Sequence, residues 1–245
     1  MAVAERSEIE GPAAQSSASE LVRVLPVLSG LSPRAMSRLD RAVSIEQVPA
    51  RTVLIEEGKV QDRVFVLVEG LVQLFTRRGT REATLGILPA PTFVFTEAIV
   101  CDAPLLASAR TLRGSRVGRI ALVQARQLFE QERDFARAVT NDLAANWRRM
   151  LRERKNRRTR SGIQRLVAWI LAMQSRAETP SEIALPYDKG ILAARLEVAP
   201  ATLSRDFARL APLGITVRRH KLEVHDASRL HELTTIDELN TPPVP

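Results

Sequence analysis

The sequence predicts an α+β protein with an N-terminal antiparallel β-barrel, a long helix and a C-terminal winged helix-turn-helix. Three observations support this order. Short β-branched runs separated by glycines fill residues 53–122, as they do in antiparallel barrels and sandwiches. A helical period then continues over residues 127–158. Finally, residues 188–213 fit two short helices joined by a tight turn.

Composition favours a folded protein with a polyanionic partner. A chain of 245 residues can bury a substantial core and is long enough for two domains. It has 36 lysines and arginines against 28 acidic residues, a formal net charge of +8. This balance is typical of nucleic-acid-binding proteins, but basic ribosomal proteins share it.

The cysteine count and the hydropathy pattern bear on compartment. A single cysteine, Cys101, excludes an internal disulfide framework and a cysteine-built zinc or iron–sulfur site within one chain. No apolar run is long enough to span a bilayer, and the N-terminal stretch lacks the apolar segment of a signal peptide. We therefore expect a cytoplasmic protein.

The first domain is predicted over residues 20–126, after a flexible tail at 1–19. Two short helices open it, and the second begins at Ser32-Pro33 and continues through Val43. Gly58, Gly70 and Gly79 close successive strand-like runs, as turn residues with positive φ do. A cupin-type metal enzyme is disfavoured because all three histidines follow the barrel, namely His220, His225 and His231.

The long helix, residues 127–158, has one apolar line, which is typical of a helix that packs on a partner. Its predicted dimerisation residues are Phe135, Val139, Leu143, Asn146, Trp147 and Met150. Packing on its own barrel is the alternative, and both can hold. Eight basic residues and one acid lie between 148 and 160, where a solvated hinge and direct phosphate contact both remain open.

The second domain is predicted over residues 159–233, followed by a tail at 234–245. Its order is an apolar helix, a short strand, the helix pair and a basic two-stranded wing formed by ITVRRHKLEV. Asp188 is the predicted N-cap of the first helix of the pair. This order is typical of a winged helix-turn-helix that binds DNA.

The second helix of the pair starts at Pro200 and has two different faces. Its predicted packing face is Leu203, Phe207 and Leu210, and its free face is Ala201, Ser204, Arg205, Ala208 and Arg209. Small and polar side chains with an arginine suit a major groove, because the helix must approach base edges closely. An ordinary helical hairpin is the alternative.

In this order the parts resemble the CRP/FNR superfamily of bacterial transcription regulators, over about residues 21–233. The best-matching segments are RVFVLVEGLVQLF, RLVAWILAM and LPYDKGILAARLEVAPATLSRDFARL. The resemblance implies a cyclic-nucleotide-binding-like barrel, a homodimer, a palindromic DNA operator and RNA polymerase as a further partner. It implies a regulator and not an enzyme.

The resemblance also assigns DNA-binding residues. The chain keeps Ser204 and Arg205 but has Ala201 where oxygen- and nitrogen-oxide-responsive members have glutamate, so their usual target sequence is not expected. Glu197 occupies the turn position that is usually glycine in the family. The predicted DNA-binding residues are Lys189, Ala201, Thr202, Ser204, Arg205, Arg209, Arg219 and Lys221. By the same resemblance, Lys189 and Thr202 are the predicted phosphate contacts.

Cyclic AMP is not the expected effector. Members that bind it hold its phosphate with Gly-Glu and Arg-Ser pairs, which are replaced here by Phe95-Thr96 or Thr96-Glu97 and by Ala107-Ser108. Met150 and Leu151 stand where a polar pair would meet the base. A phosphate without a cation would be costly to bury.

The segment EAIVCDAPLLASARTL is closer to the FNR and nitric-oxide-regulator branches, whose pockets are apolar. An iron–sulfur cluster is not expected, because the N-terminal cysteine cluster of the oxygen sensors is absent. A haem stays open, with Cys101 or Met150 as candidate ligand.

We therefore expect a homodimeric regulator whose barrel senses a non-nucleotide signal, of redox or gas type, or none. Cys101 is the candidate sensor, against the alternative of a small buried apolar residue. The competing function is a ligand-binding regulatory protein whose basic C-terminal domain engages RNA or a protein partner.

Overall fold

The computed structural model describes residues 17–175, 179, 181–185, 188–218, 221–225 and 230. The chain divides into two compact units, Met1–Val72 with Leu88–Asp142 and Gln73–Ile87 with Leu143–Pro245. The domain boundaries expected at 126–127 and 158–159 stay predictions.

The first unit begins with α1 (Ser17–Val24), a 3-10 turn at Pro26–Leu28 and α2 (Pro33–Ala42). The Ser32 hydroxyl accepts a hydrogen bond from the Ala35 N–H at 3.3 Å, which confirms the predicted start of α2. Val43 does not extend this helix as expected. It starts a strand opposite Ile120, where its β-branched side chain is buried.

Eight strands form two four-stranded sheets. Their bounds are β1 Val43–Val48, β2 Val53–Ile55, β3 Arg63–Glu69, β4 Leu71–Arg78, β5 Arg81–Pro89, β6 Thr92–Val94, β7 Ser108–Thr111 and β8 Ser115–Ala121. The sheet orders are β1-β8-β3-β6 and β2-β7-β4-β5. The pairs β1–β8, β3–β8, β3–β6 and β2–β7 are antiparallel, which confirms the predicted sheet type.

Glycines end strands where the backbone turns into the left-handed region, as predicted. The φ angles are 76° at Gly58, 113° at Gly70 and 59° at Gly79. A Cβ at Gly70 would lie 2.1 Å from the Ser115 hydroxyl oxygen. Because of that clash, this turn between β3 and β4 requires glycine.

The short helix α3 (Glu97–Val100) lies between β6 and β7, and two further helices follow β8, α4 (Leu122–Gln131) and α5 (Arg133–Thr159). The continuous helix expected from 127 to 158 is thus two helices, separated at Glu132 by extended backbone with φ −118° and ψ 101°. The buried Glu132 carboxylate lies 3.1 Å from Arg34 and 2.8 Å from Arg38 of α2. We attribute the break to this buried charge, because its cations come from another helix.

In the second unit, the elements after α5 are α6 (Gly162–Gln174), β9 (Glu182–Ala184), α7 (Lys189–Leu196), α8 (Pro200–Leu210), β10 (Ile215–Arg218) and β11 (Lys221–Val224). Ser161 and Gln164 form a capping box at the start of α6. The predicted two-stranded wing is part of a three-stranded sheet in the order β10-β11-β9. The core of this unit lies where α6, α7 and α8 bury their apolar faces.

Candidate nucleic-acid interface

Helix α8 separates a buried face from an exposed one. Its buried residues are Leu203, Asp206, Phe207 and Leu210. Its exposed residues include Ala201, Ser204, Arg205, Ala208 and Arg209. This division confirms the predicted faces of the helix. The exposed face combines small side chains with two arginines, so it can approach base edges closely.

The two arginines of α8 are held differently. Arg205 lies along its own helix, where Nε donates to the Ala201 carbonyl at 3.4 Å and an Nη donates to the Thr202 hydroxyl at 3.2 Å. Its remaining N–H donors can bond a base. Arg209 lies 3.7 Å from the buried Asp206 carboxylate, so part of its charge is compensated within the chain.

The turn between α7 and α8 is formed by Glu197 in the left-handed region, with φ 52° and ψ 49°. The Val198 N–H donates to the Ala193 carbonyl at 3.0 Å, which satisfies one of the last carbonyls of α7. The Glu197 carboxylate lies 3.1 Å from Arg157 of α5. Glutamate therefore adopts here the conformation that glycine usually supplies, at a cost of about 1 kcal/mol.

Arg165 of α6 ties this turn to the segment between α5 and α6. Its Nε donates to the Leu196 carbonyl at 2.9 Å, and its two Nη atoms donate to the Arg160 carbonyl at 2.8 Å and the Glu197 carbonyl at 3.4 Å. No motif in the sequence predicted a role for Arg165. The sequence feature that could have identified Arg165 is a charged side chain within an otherwise largely apolar helix.

Lys189 and Thr202, the predicted phosphate contacts, lie on either side of the turn. Lys189 is exposed at the start of α7, and its Nζ lies 5.9 Å from the centre of the Phe207 ring. This cation–π contact holds the ammonium beside α8. Thr202 is half-buried and accepts the hydrogen bond from Arg205. Their contact with phosphate stays a prediction.

The wing presents fewer uncompensated charges than its sequence suggested. Lys221 forms an ion pair with Glu182 of β9, and the hydrogen bond to that carboxylate raises the pKa of Lys221. Arg218 lies 3.9 Å from Glu223 on β11. Arg219, the predicted contact at the tip, lies outside the described residues.

In the barrel, the position aligned with the phosphate-binding Arg-Ser pair has no cation. Ala107 is buried, and the Ser108 hydroxyl accepts a hydrogen bond from the Glu57 N–H at 2.9 Å. Through this hydrogen bond the Ser108 side chain stabilises the backbone of the barrel itself.

The Thr96-Glu97 segment faces a carboxylate of α5. Thr96 is fully buried and donates its hydroxyl hydrogen to Asp142. Burial raises the pKa of Glu97, a backbone hydrogen bond opposes this rise, and the Asp142 charge adds to it. No local pattern in the sequence predicts a contact between residues at this separation.

Cys101 is exposed at the end of α3. Arg126 of α4 donates to the Cys101 carbonyl at 3.3 Å and to the Ala98 carbonyl at 3.1 Å, and lies 3.3 Å from Asp102. The interpretation of Cys101 as a small buried residue is therefore wrong. Its role as a sensor stays a prediction.

The predicted dimerisation residues differ in exposure along α5. Phe135 and Val139 are 0% exposed in the single chain, so they belong to its own core and cannot meet a partner. Leu143 and Asn146 are half-buried. Trp147 and Met150 are exposed, as is Leu151, which extends the same stripe. The dimerisation assignment is thus wrong for the two buried residues and stays a prediction for the rest.

Two domain families match the chain. Residues 45–132 match the cyclic nucleotide-binding domain, and residues 164–233 match the Crp-like helix-turn-helix domain. Together the two matches cover more than half of the chain. The chain belongs to the CRP/FNR superfamily of transcription regulators. Its predicted nature as a DNA-binding regulator and not an enzyme is thereby confirmed.

Solved structures of other CRP/FNR regulators have the same fold. FixK2 from Bradyrhizobium japonicum is 15% identical with a TM-score of 0.68, over 79% of this chain and 98% of that one. A CooA mutant from Carboxydothermus hydrogenoformans is 16% identical with a TM-score of 0.67, over 85% and 94%. CLP from Xanthomonas campestris, described as c-di-GMP responsive, is 16% identical with a TM-score of 0.65, over 80% and 100%.

No curated protein sequence is a significant match to this CRP/FNR chain. Within the described residues, no helix combines the length and apolar character that crossing a bilayer requires. The same residues contain no cluster of three or more His, Cys, Asp or Glu side chains suited to a metal ion.

Proposed function

We propose that this regulator is a cytoplasmic homodimer that binds a palindromic DNA operator through the exposed face of α8. The observation on which the proposal rests is the exposure of Ser204 and Arg205 on a helix whose opposite face is buried. A guanidinium at this position can bond guanine with two hydrogen bonds. Ala201 leaves the groove-facing surface without a carboxylate there, so the operator differs from the one used by glutamate-containing members.

The exposed stripe of α5 supports dimerisation. Trp147, Met150 and Leu151 are 65%, 61% and 55% exposed in the single chain, and large apolar side chains seldom cluster on a solvated helix face. A second copy of the chain is the natural occupant, because a palindromic operator requires two recognition helices related by a two-fold axis. RNA polymerase is the further partner that we propose for the DNA-bound dimer.

The barrel of this regulator takes an effector other than cyclic AMP, or none. The buried Ala107 offers no charge to a cyclic phosphate, and the Ser108 hydroxyl already accepts a backbone hydrogen bond. The description of the Xanthomonas regulator as c-di-GMP responsive supports different effectors on this fold. Cys101 is exposed, so its thiol is the candidate group for sensing a redox signal.

The candidate haem ligands do not fit a haem. Cys101 is exposed beside Asp102 and Arg126, whereas the expected site is an apolar pocket. Met150 is exposed on the stripe that we assign to the dimer. We therefore favour oxidation of Cys101, or the absence of a signal, over haem-based sensing.

Selection of bound sequences from a random duplex pool tests the proposed function. The expected result is a palindrome whose half-sites are one helical turn apart, about 34 Å. Sedimentation of the free protein and its DNA complex gives the stoichiometry, with two chains expected per duplex. Equal binding of the selected palindrome, a scrambled duplex and RNA would contradict the proposal and favour the RNA- or protein-binding alternative.

A further inference from the structure

The exposed stripe of α5 continues into arginines. Trp147 and Leu151 are followed on the same stripe by Arg154 and Arg158, at intervals of three and four residues. Both arginines are exposed. Within the part of the chain that the structure describes, neither forms an ion pair, whereas the neighbouring Arg157 pairs with Glu197.

The end of α5 lies beside the turn that precedes the recognition helix. The Arg157 guanidinium is 3.1 Å from the Glu197 carboxylate in that turn. Arg165 bonds the Arg160 carbonyl just after α5 and the Leu196 carbonyl at the end of α7, at 2.8 and 2.9 Å. Because the first turn of a recognition helix enters the major groove, the proposed complex brings the end of α5 close to DNA.

The symmetry of the proposed homodimer brings four arginines together. This step depends on the proposed function. Two α5 helices that pair through the stripe must be parallel, since both lead to domains that bind one duplex. The two-fold axis of the protein then coincides with the dyad of the operator. Arg154 and Arg158 of each protomer lie at the DNA-facing end of that axis.

Like charges at such a site repel unless an anion is bound between them. DNA offers a dense line of phosphates, and the segment between the half-sites crosses the dyad. We propose that Arg154 and Arg158 of the two protomers form a shared cationic site that binds the phosphate backbone at the centre of the operator. Without DNA, repulsion among these four charges weakens the dimer. Bound phosphates neutralise the charges, so DNA binding strengthens dimerisation and dimerisation strengthens DNA binding.

The test compares Arg154→Gln/Arg158→Gln with Arg78→Gln/Arg81→Gln. The control arginines are exposed at the β4–β5 hairpin and, among the described residues, have no ion pair, so the two variants lose equal charge. The magnitude of the salt slope of operator binding should fall by about 2 to 4 in the α5 variant and by less than about 1 in the control, because each phosphate contact contributes about 0.9. The free dimer of the α5 variant should be at least about threefold tighter than wild type in sedimentation at low salt.

These opposite changes distinguish a phosphate-binding site from a structural role, which would weaken both binding and dimerisation. A salt slope equal to that of the control would overturn the proposal, and so would a weaker free dimer. Failure of the proposed function gives a different result, in which wild-type protein is monomeric on DNA or selects no palindrome. Binding of both variants to half-site duplexes locates the effect, because the loss should be larger on the full operator.

Discussion

Arg205 is the side chain on which base selection depends in the proposed interface. Arg205→Ala should weaken binding to the selected operator by about 1–3 kcal/mol and relax preference at one base pair of each half-site. Arg209→Ala is the matched control on the same exposed face, and its effect should be smaller because Asp206 lies 3.7 Å away. Titrations against operators with single base changes measure both. Unchanged base preference in Arg205→Ala would show that another face of α8 contacts DNA.

Substitutions at Glu197 can separate two opposing contributions to the free energy of unfolding, the left-handed backbone conformation and the ion pair with Arg157. Glu197→Gly should relieve a left-handed conformation that costs about 1 kcal/mol, and it should lose an exposed ion pair with Arg157 worth up to about 1 kcal/mol. The free energy of unfolding should therefore stay within about 0.5 kcal/mol of wild type. Glu197→Ala loses the pair but keeps the strain, so it should be about 1 kcal/mol less stable than the glycine variant. Urea unfolding compares them, and equal stability of the two variants would contradict the account.

Glu97 should make stability depend on pH. Burial raises the pKa of its carboxyl in the folded state, so the folded protein binds this proton more tightly than the unfolded chain does. The stabilising contribution is present below the ordinary pKa and is lost as pH rises through the folded value. Glu97→Gln should therefore be more stable than wild type at pH 7 and similar to it near pH 4, in urea unfolding. A Glu97→Gln variant that is destabilised at pH 7 would refute this prediction.

At the scale of elements, α5 combines a core segment with a surface segment. Trp147→Ala should weaken dimerisation while changing the unfolding free energy of the single chain little, because the side chain is 65% exposed. Phe135→Ala should instead destabilise the fold by about 3–5 kcal/mol, because its side chain is fully buried. Sedimentation and denaturant unfolding distinguish the two effects. A Trp147 variant with an unchanged dimer would argue against the stripe as the interface.

The elements that the sequence predicted well are those with a local signal. Helix α8 was predicted from the spacing of its apolar residues and from Pro200. The glycine turns were predicted because glycine adopts positive φ readily, and the structure has positive φ at these positions. The break at Glu132 and the strand at Val43 were missed. Both depend on distant partners, the arginines of α2 and the strand β8, which no short window contains.

At the scale of the whole molecule, the order of barrel, long helix and winged helix-turn-helix predicted the family, although no single segment is a rigid motif. The site was predicted in part. The exposed residues of α8 follow from periodicity, whereas the pairing of Lys221 with Glu182 and the contacts of Arg165 arise from chain segments far apart in sequence.

The intact protein should not respond to cyclic AMP. A ligand that binds the folded state at 100 times its Kd stabilises by about 2.7 kcal/mol, which raises the melting temperature by several degrees. Millimolar cyclic AMP should change neither the melting temperature nor the operator affinity, since no cation meets its phosphate at Ala107. AMP at the same concentration is the control. A rise in melting temperature with cyclic AMP that AMP does not reproduce would contradict this prediction and show that the barrel binds the cyclic nucleotide.

The three carbonyls bound by Arg165 have a consequence for local unfolding. They belong to the end of α7, to the turn and to the segment after α5, so none of these backbones can open without losing bonds to one side chain. Local opening of the turn therefore breaks two bonds of Arg165, to the Leu196 and Glu197 carbonyls, in addition to the backbone bonds of the turn. These added bonds raise the free energy of local opening, so proteolytic nicking at the turn should be slower when Arg165 is present than in Arg165→Ala.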